Sequence, residues 1–143
     1  MMMTHMLTCL LFVLMYRTSN AGFTATLPGG VNPYALNAMI KYNRMLCPDA
    51  DYNKDTGIFI VGAGMAGNYL VSVTMMSGLV TGYTTIRKNN AIYVYLYTGR
   101  PYEMATQTVY MQLAVGDTIW VQMTIKASSL FDVYNTFTAV RIS

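Results

Sequence analysis

From residue 57 onward the chain alternates apolar and polar residues with a period of two, and helical periodicity is weak. In residues 119–126 (IWVQMTIK) one face carries Ile, Val, Met and Ile, and the other carries Trp, Gln, Thr and Lys. Residues 69–76, 90–97 and 108–113 alternate in the same way, and Gly, Asn, Asp or Pro separates the runs. Short alternating runs with such boundaries are typical of antiparallel strands that bury one face. The pattern predicts an all-β fold, a two-sheet antiparallel jelly-roll sandwich.

One stretch before residue 57 departs from this pattern. Residues 33–46 contain a spacing of Tyr34, Ala35, Ala38 and Met39 that is compatible with one short helical turn. We predict instead a loop that leads into a strand over residues 40–46. The chain contains no internal repeat and no linker-like segment, so one globular domain is expected.

Charged residues make up only 10% of the chain, whereas 54% of the residues are hydrophobic. The apolar content excludes a disordered chain. The nine Lys and Arg are scattered singly apart from Arg87-Lys88, which argues against a nucleic-acid binder. Six acids and one His leave little material for acid–base catalysis, and no Ser-His-Asp set or zinc-ligand spacing is present. The composition therefore favours a binding protein over an enzyme.

The amino-terminal segment has the features of a secretory signal peptide. Residues 6–16 (MLTCLLFVLMY) are apolar and uncharged, but they are too few to cross about 30 Å of hydrocarbon as a helix. Small residues at Ser19 and Ala21 fit a cleavage site after Ala21. The sequence thus predicts a signal peptide over residues 1–21, a secreted domain over residues 22–143 and no membrane span. The alternative is a buried amino-terminal strand or helix.

Cleavage after Ala21 would leave Cys47 as the single cysteine of the mature chain. An internal disulfide is then impossible, and the thiol is either buried or paired with another chain. We favour a buried thiol acting as a small apolar residue, because free cysteine is among the most buried residue types.

A dinucleotide-binding fingerprint, G-x-G-x-x-G, occurs at Gly62, Gly64 and Gly67 directly after an apolar run. In an oxidoreductase these glycines would let the backbone approach a pyrophosphate at a helix amino terminus. The residues after Gly67 are β-branched and alternating where a helix is required, and no acid occurs between Asp55 and Glu103 to bind the ribose. We therefore place a nucleotide enzyme behind the other two hypotheses described below.

Two motifs lie in a specific order along the predicted strands. The first is Y-N-x-x-T-G-x-F over residues 52–59, and the second is L-x-x-G-D-x-x-W over residues 113–120. With the residues that flank them, they resemble the globular-head domain of the complement C1q family, which is related in fold to tumour necrosis factor. The positions that carry the resemblance are Phe23, Tyr52, Asn53, Gly57, Phe59, Gly67, Tyr69, Leu113, Gly116, Asp117, Trp120 and Phe137.

The resemblance implies a secreted homotrimer of jelly rolls, with the strand faces near Phe23, Tyr69, Tyr110 and Phe137 turned toward the three-fold axis. No Gly-x-y run is present, so the chain is similar to short secreted heads that lack a collagen stalk. Such heads are lectin-like pattern-recognition molecules of innate immunity that bind glycans or microbial surfaces. The alternative is a trimeric structural or signalling ligand that binds a protein receptor. The family requires no cofactor, and calcium held by carboxylates at a trimer axis is compatible with it; the sequence identifies no metal ligands.

Two neighbouring segments are the candidate ligand surface. Arg87-Lys88-Asn89-Asn90 is a basic, polar hairpin tip that suits carboxylated or phosphorylated glycans. Tyr93, Tyr95 and Tyr97 form a stripe on one face of the following strand, on which sugar rings can stack. The alternatives are a solvated turn for the tip and a subunit contact for the stripe. We assign Asp117 to a hairpin turn with Gly116, and Trp120 to the core or a subunit contact.

Overall fold

The computed structural model describes residues 22–143, so the predicted signal peptide lies outside the described residues. These residues form twelve strands and one 3₁₀ turn, Asp132–Tyr134. The strands are β1 (Gly22–Thr26), β2 (Val31–Tyr34), β3 (Arg44–Cys47), β4 (Tyr52–Asn53), β5 (Ile58–Ile60), β6 (Gly67–Met76), β7 (Tyr83–Lys88), β8 (Ala91–Tyr97), β9 (Met104–Leu113), β10 (Thr118–Met123), β11 (Ser128–Phe131) and β12 (Thr136–Arg141).

Ten of these strands build two antiparallel sheets. The first sheet has the order β3-β1-β12-β6-β9, and the second has the order β4-β5-β10-β7-β8. The remaining strands, β2 and β11, pair with each other. Neighbours such as β1 and β12 are far apart in sequence, as the crossovers of a jelly roll require. The predicted all-β, two-sheet jelly roll is confirmed.

The alternation in the sequence determines which side chains fill the space between the sheets. In β6, Tyr69, Val71, Val73 and Met75 are buried, as the period of two predicts. An aromatic group fills the middle of the core, where the Phe23 ring stacks on Tyr52 at a centroid distance of 4.2 Å. Burial of each large apolar side chain contributes about 1.5–3 kcal/mol to stability.

The prediction for residues 33–46 is wrong in two respects. A strand, β2, occupies Val31–Tyr34, and the strand predicted over residues 40–46 is found at Arg44–Cys47. The intervening segment crosses the second sheet, where Ile40 N donates to the Val121 carbonyl at 2.8 Å. Ile40 and Tyr42 are buried there, so their apolar character reflects a crossing connection rather than a strand of the first sheet.

Three of the four residues named for the three-fold axis, Phe23, Tyr69 and Phe137, face the inside of the protomer. All three side chains are at most 2% exposed and lie in the core of the single protomer. Tyr110 does point away from the core and is 48% exposed.

The glycine cluster does not form a nucleotide-binding turn. Gly67 begins β6, a ten-residue strand, where the dinucleotide fold requires a helix. Gly62 instead donates its N–H to Asp51 Oδ2 at 3.0 Å, and the turn ends where Tyr69 Oη donates to the Met65 carbonyl. The dinucleotide-binding alternative is therefore wrong.

Several loops gather at one end of the sandwich, which we call the terminal end. It contains Gly22, which pairs with Val140, and Ser143, whose carbonyl accepts the Asn68 N–H at 2.8 Å. The turns at residues 61–66 and 114–117 lie there as well, and Gly116 N donates to the Val61 carbonyl between them. The turn at residues 89–90 adjoins them, because Asn89 N donates to the Thr118 carbonyl. The predicted basic tip thus lies at the same end as Gly22 and Ser143.

Candidate ligand surface

The basic tip is a tight hairpin turn between β7 and β8. Asn89 and Asn90 have φ angles of 49° and 67°, the left-handed conformation that a two-residue type I′ turn requires at both positions. Asparagine tolerates this conformation better than other non-glycine residues. The Asn-Asn pair therefore fixes the register of the hairpin.

The two basic side chains of the tip diverge. Arg87 Nε donates to Thr85 Oγ1 at 3.0 Å, and Nη1 donates to the Asn90 carbonyl at 3.1 Å. Lys88 Nζ reaches the first sheet, where it donates to the Gln112 carbonyl at 3.0 Å. The structure therefore separates Arg87 from Lys88, which the sequence had grouped in one anionic-ligand site.

Asn89 joins the tip to the neighbouring turn. Its Nδ2 donates to Asp117 Oδ1 at 2.9 Å, and its Oδ1 accepts the Thr118 N–H at 2.9 Å. Asp117 Oδ2 accepts the Ala114 N–H at 2.8 Å, which closes the turn at Gly116, where φ is 88°. The hydrogen bond from Asn89, followed by that from the Ala114 N–H, lowers the pKa of Asp117.

The tyrosine stripe lies on β8, the outer strand of the second sheet. Tyr93, Tyr95 and Tyr97 are 43%, 47% and 53% exposed. Tyr93 Oη donates to the Tyr110 carbonyl at 2.7 Å, which fixes one ring. Tyr97 packs on Tyr83 with a centroid distance of 4.5 Å. The stripe is thus a row of three exposed rings, and these contacts fix the orientation of Tyr93 and Tyr97.

Arg87 shares the outer face of the second sheet with Tyr95. Across the ladder, Thr85 is opposite Tyr95 on one side and Gln122 on the other, and Arg87 is opposite Trp120 and Ile92. A register shift between Ile86 and Arg87 leaves Tyr93 without a partner on β7. Trp120 is 7% exposed and donates from Nε1 to Gln122 Oε1 at 3.1 Å. We call Trp120, Arg87, Tyr95 and Tyr97, which surround the buried Thr85, the aromatic face.

The motif residues 52–59 form the β4–β5 hairpin. Tyr52 Oη donates to the Tyr42 carbonyl at 2.7 Å, and burial raises the pKa of Tyr52. Asn53 supplies its carbonyl to the Gly57 N–H at 2.8 Å. Gly57 has a φ of 80°, and a Cβ there would collide with the Ile40 carbonyl oxygen. These residues hold the hairpin against the core beside Phe59.

Sequence reasoning did not identify Arg141 and misplaced Cys47. Both line a cleft of about 530 Å³ at the terminal end, together with Gly22 and Asp49. Arg141 Nε is buried and has no hydrogen-bond partner. Cys47 is exposed, so the prediction of a buried thiol is wrong; β3 is an edge strand that leaves its side chains uncovered. No short motif surrounds either residue, because the cleft joins segments distant in sequence.

Two features of residues 22–143 bear on partners. No three side chains among His, Cys, Asp and Glu lie close enough to hold one metal ion in this part of the chain. Within the same residues, no helix has the length and hydropathy that a membrane span needs.

The two sheets and their strand order define a jelly-roll domain of the C1q and tumour necrosis factor type. The model of the C1q domain family matches residues 22–139. The chain therefore belongs to the C1q-domain family, as the two motifs predicted. No curated protein matches it.

Solved structures share the fold at low sequence identity. The globular domain of zebrafish complement 1qA has a TM-score of 0.64 at 12% identity, covering 87% of this chain and 98% of its own. Eiger TNF from S. frugiperda has a TM-score of 0.67 at 16% identity, covering 87% and 94%. Murine APRIL at pH 8.5 has a TM-score of 0.65 at 13% identity, covering 85% and 100%. At these identities the likeness establishes the fold alone.

Proposed function

We propose that this C1q-domain chain is a secreted homotrimer that recognises glycan-bearing surfaces by multivalent binding. The outer face of the first sheet serves as the subunit contact, and the aromatic face of the second sheet binds the ligand. Each site binds weakly, and three sites in a fixed arrangement raise the overall affinity on a repetitive surface by about 10²–10⁴.

The observation that carries the proposal is the absence of charged residues from the outer face of four strands of the first sheet, β1, β12, β6 and β9; Arg44, on the edge strand β3, lies beside them opposite Thr26. Three rows of residues lie directly opposite one another across β1, β12, β6 and β9. The first row is apolar, and the other two consist of hydroxyl residues. The rows are Gly22, Val140, Leu70 and Tyr110; Thr24, Thr138, Ser72 and Thr108; and Thr26, Thr136, Thr74 and Thr106.

This face suits contact with another copy of the chain. Val140, Leu70 and Tyr110 are 40%, 38% and 48% exposed in the single protomer. The hydroxyls largely bond to each other, as Ser72 and Thr108 do at 2.9 Å, so they need no water when covered. Interface cores are depleted in charged residues, and the three rows carry none.

The aromatic face suits a sugar ligand. Exposed tyrosine rings offer a flat apolar surface beside a hydroxyl, which matches the alternating faces of a pyranose ring. Arg87 lies on the same face and retains guanidinium donors for a carboxylate or phosphate. Calcium, if required, would need carboxylates from more than one protomer, since residues 22–143 of one protomer supply no cluster.

Sedimentation of the secreted protein tests the assembly. We expect a trimer for the natural chain and a monomer for Leu70→Arg, because three like charges would meet in the contact. The matched control is Val115→Arg, an equally apolar exposed residue in the β9–β10 turn, which should remain trimeric. A natural chain that sediments as a monomer contradicts the proposal.

Binding to an array of neutral and anionic glycans tests the ligand surface, with and without a chelator. We expect Tyr95→Ala to lower avidity for all bound glycans at least ten-fold and Arg87→Ala to lower it for anionic ones. Lys88→Ala and Tyr134→Ala should bind normally, because Lys88 is directed to the first sheet and Tyr134 lies on the 3₁₀ turn. Capture of a protein receptor with no glycan binding would favour the signalling-ligand alternative.

A further inference from the structure

The first described residue of the domain is held by a carboxylate. Gly22 N donates to Asp49 Oδ2 at 2.9 Å, although the two residues are 27 positions apart. Asp49 is itself fixed, because its Oδ1 accepts the Asp51 N–H at 2.8 Å. The carboxylate therefore stands at the start of β1 independently of Gly22.

Gly22 occupies a confined position. A Cβ there would lie 3.1 Å from the Ala139 carbonyl oxygen and 3.2 Å from Val140 Cγ2, which is tighter than ordinary contact. Gly22 is also already in register opposite Val140. A small residue therefore fits at this position against β12.

We propose that the peptide bond between Ala21 and Gly22 is hydrolysed during secretion, and that Asp49 is the built-in receptor for the new α-ammonium group of Gly22. The inference rests on the secreted state proposed above. Hydrolysis by a signal peptidase adds one water across the bond, leaving a carboxylate on Ala21 and an ammonium on Gly22. The neutral amide donor facing Asp49 becomes a charged donor.

Processing in this way strengthens an existing contact. The Gly22 amide already donates to an ionised acceptor, and an ammonium in its place adds the attraction between two opposite unit charges. The mature chain would therefore be more stable than the same domain carrying residues of the leader. Maturation then tightens the first sheet at the strand that contributes to the proposed subunit contact.

Other charges surround this site and limit the effect. Arg141 lines the same cleft and opposes a second positive charge. Asp51, whose N–H donates to Asp49, favours it. Burial raises the pKa of Tyr69, and its hydroxyl lies near enough to Arg141, Asp51 and Asp49 to be influenced by all three. The Cys47 thiol also lines the cleft. Asp49 is the carboxylate at hydrogen-bond distance, so its attraction dominates.

A double-variant cycle tests the proposal by urea unfolding. The first variable is the amino terminus: the chain begins either at Gly22 or with an extension that retains Ser19, Asn20 and Ala21. The second variable is residue 49, which is either Asp or carries Asp49→Asn. We expect the extension to raise the unfolding constant about five-fold in the natural background and by less than two-fold with Asp49→Asn. The Asp55→Asn control, an exposed carboxylate in the β4–β5 turn, should preserve the full effect. An equal effect in both backgrounds overturns the proposal.

Two further measurements keep the test decisive if Asp49→Asn does not fold. Amino-terminal sequencing of protein secreted from eukaryotic cells should begin at Gly22, and another first residue overturns the assignment. Titration of the Gly22 amine by NMR should give a higher pKa in the folded chain than in 8 M urea, and an equal or lower value overturns it. A monomeric or glycan-inert protein would defeat the proposed function without altering this coupling.

Discussion

Asn89 and Asp117 connect two turns of the terminal end through a hydrogen bond of 2.9 Å between Asn89 Nδ2 and Asp117 Oδ1. Both residues also bond to backbone groups, Asn89 to the Thr118 N–H and Asp117 to the Ala114 N–H. The pair therefore fixes the geometry of the β7–β8 turn relative to the β9–β10 turn. Arg87 is positioned for the aromatic face only because its hairpin is held in this way.

Removal of the Asp117 carboxylate should destabilise the domain in a pH-dependent manner. The hydrogen bonds from Asn89 and Ala114 lower its pKa in the folded state, so its stabilisation is fully present above the unfolded value near 3.8. This stabilisation is lost as the pH falls from about 3.8 through the lower pKa that Asp117 has in the folded state. We expect Asp117→Ala to cost about 1 kcal/mol at pH 7, a modest value because the carboxylate is partly exposed.

Thermal unfolding between pH 2 and pH 7 measures this effect. The melting temperatures of the natural chain and Asp117→Ala should differ at pH 7 and converge toward pH 2. Asp55→Asn serves as the control and should follow the natural chain throughout. A difference that stays constant with pH would show that Asp117 acts through turn geometry alone.

Local patterns in the sequence predicted the parts of the fold that depend on neighbouring residues. The alternation in β6 identified its buried face, and Asn89-Asn90 with Gly116-Asp117 identified two turns. Contacts between distant segments left no such pattern. The exposure of Cys47 follows from its place on an edge strand, and the role of Ile40 follows from a crossing over β10. Strand order across a sheet determines both.

The same distinction between local patterns and distant contacts applies to the candidate ligand surface. The sequence predicted Tyr93, Tyr95 and Tyr97 on one face from the strand period alone, and the register shift beside Arg87 interrupts that period at Tyr93. It grouped Arg87 with Lys88 because they are adjacent, whereas adjacent residues of a strand point to opposite faces. Arg141 has no neighbouring motif, and the cleft that it lines exists only once β1, β3 and β12 come together.

The thiol of Cys47 should react rapidly in the native protein, because the residue is exposed on the edge strand β3. A chromogenic disulfide reagent should titrate one thiol per chain at the same rate with and without denaturant, within a factor of three. Cys47→Ser should change the free energy of unfolding by less than about 0.5 kcal/mol. Protection of the thiol that disappears under reducing conditions would indicate a disulfide between chains.

Replacement of Gly57, the single glycine of the β4–β5 hairpin, should destabilise the domain. Its φ of 80° costs any other residue about 1–2 kcal/mol, and a Cβ would also collide with the Ile40 carbonyl oxygen. We expect Gly57→Ala to lower stability by about 3 kcal/mol in urea unfolding. Gly30→Ala is the matched control, since Gly30 has a φ of 84° with nothing within 4 Å. It should cost only about 1 kcal/mol, and equal losses would show that the collision is relieved by movement.

Ile125 carries backbone strain that a substitution should relieve. Its φ is 65°, a conformation that β-branched residues avoid, and its side chain is 60% exposed. The turn is held by a hydrogen bond from the Lys126 N–H to the Thr124 carbonyl at 2.7 Å, so the conformation persists despite its cost. Ile125→Asn should therefore stabilise the domain by about 1 kcal/mol, since asparagine enters this region readily and little burial is lost.

Calorimetry should detect this gain as a melting temperature raised by about 4 °C. Ile92→Asn is the appropriate control, because Ile92 is 45% exposed on β8 and has no positive φ. That change should leave stability unchanged or lower it, as asparagine is disfavoured in strands. If Ile125→Asn lowers the melting temperature instead, the exposed side chain must be covered in the assembled protein, and the loss of that contact outweighs the relief of strain. Repeating the measurement on the monomeric Leu70→Arg background separates the two contributions, because only the strain remains there.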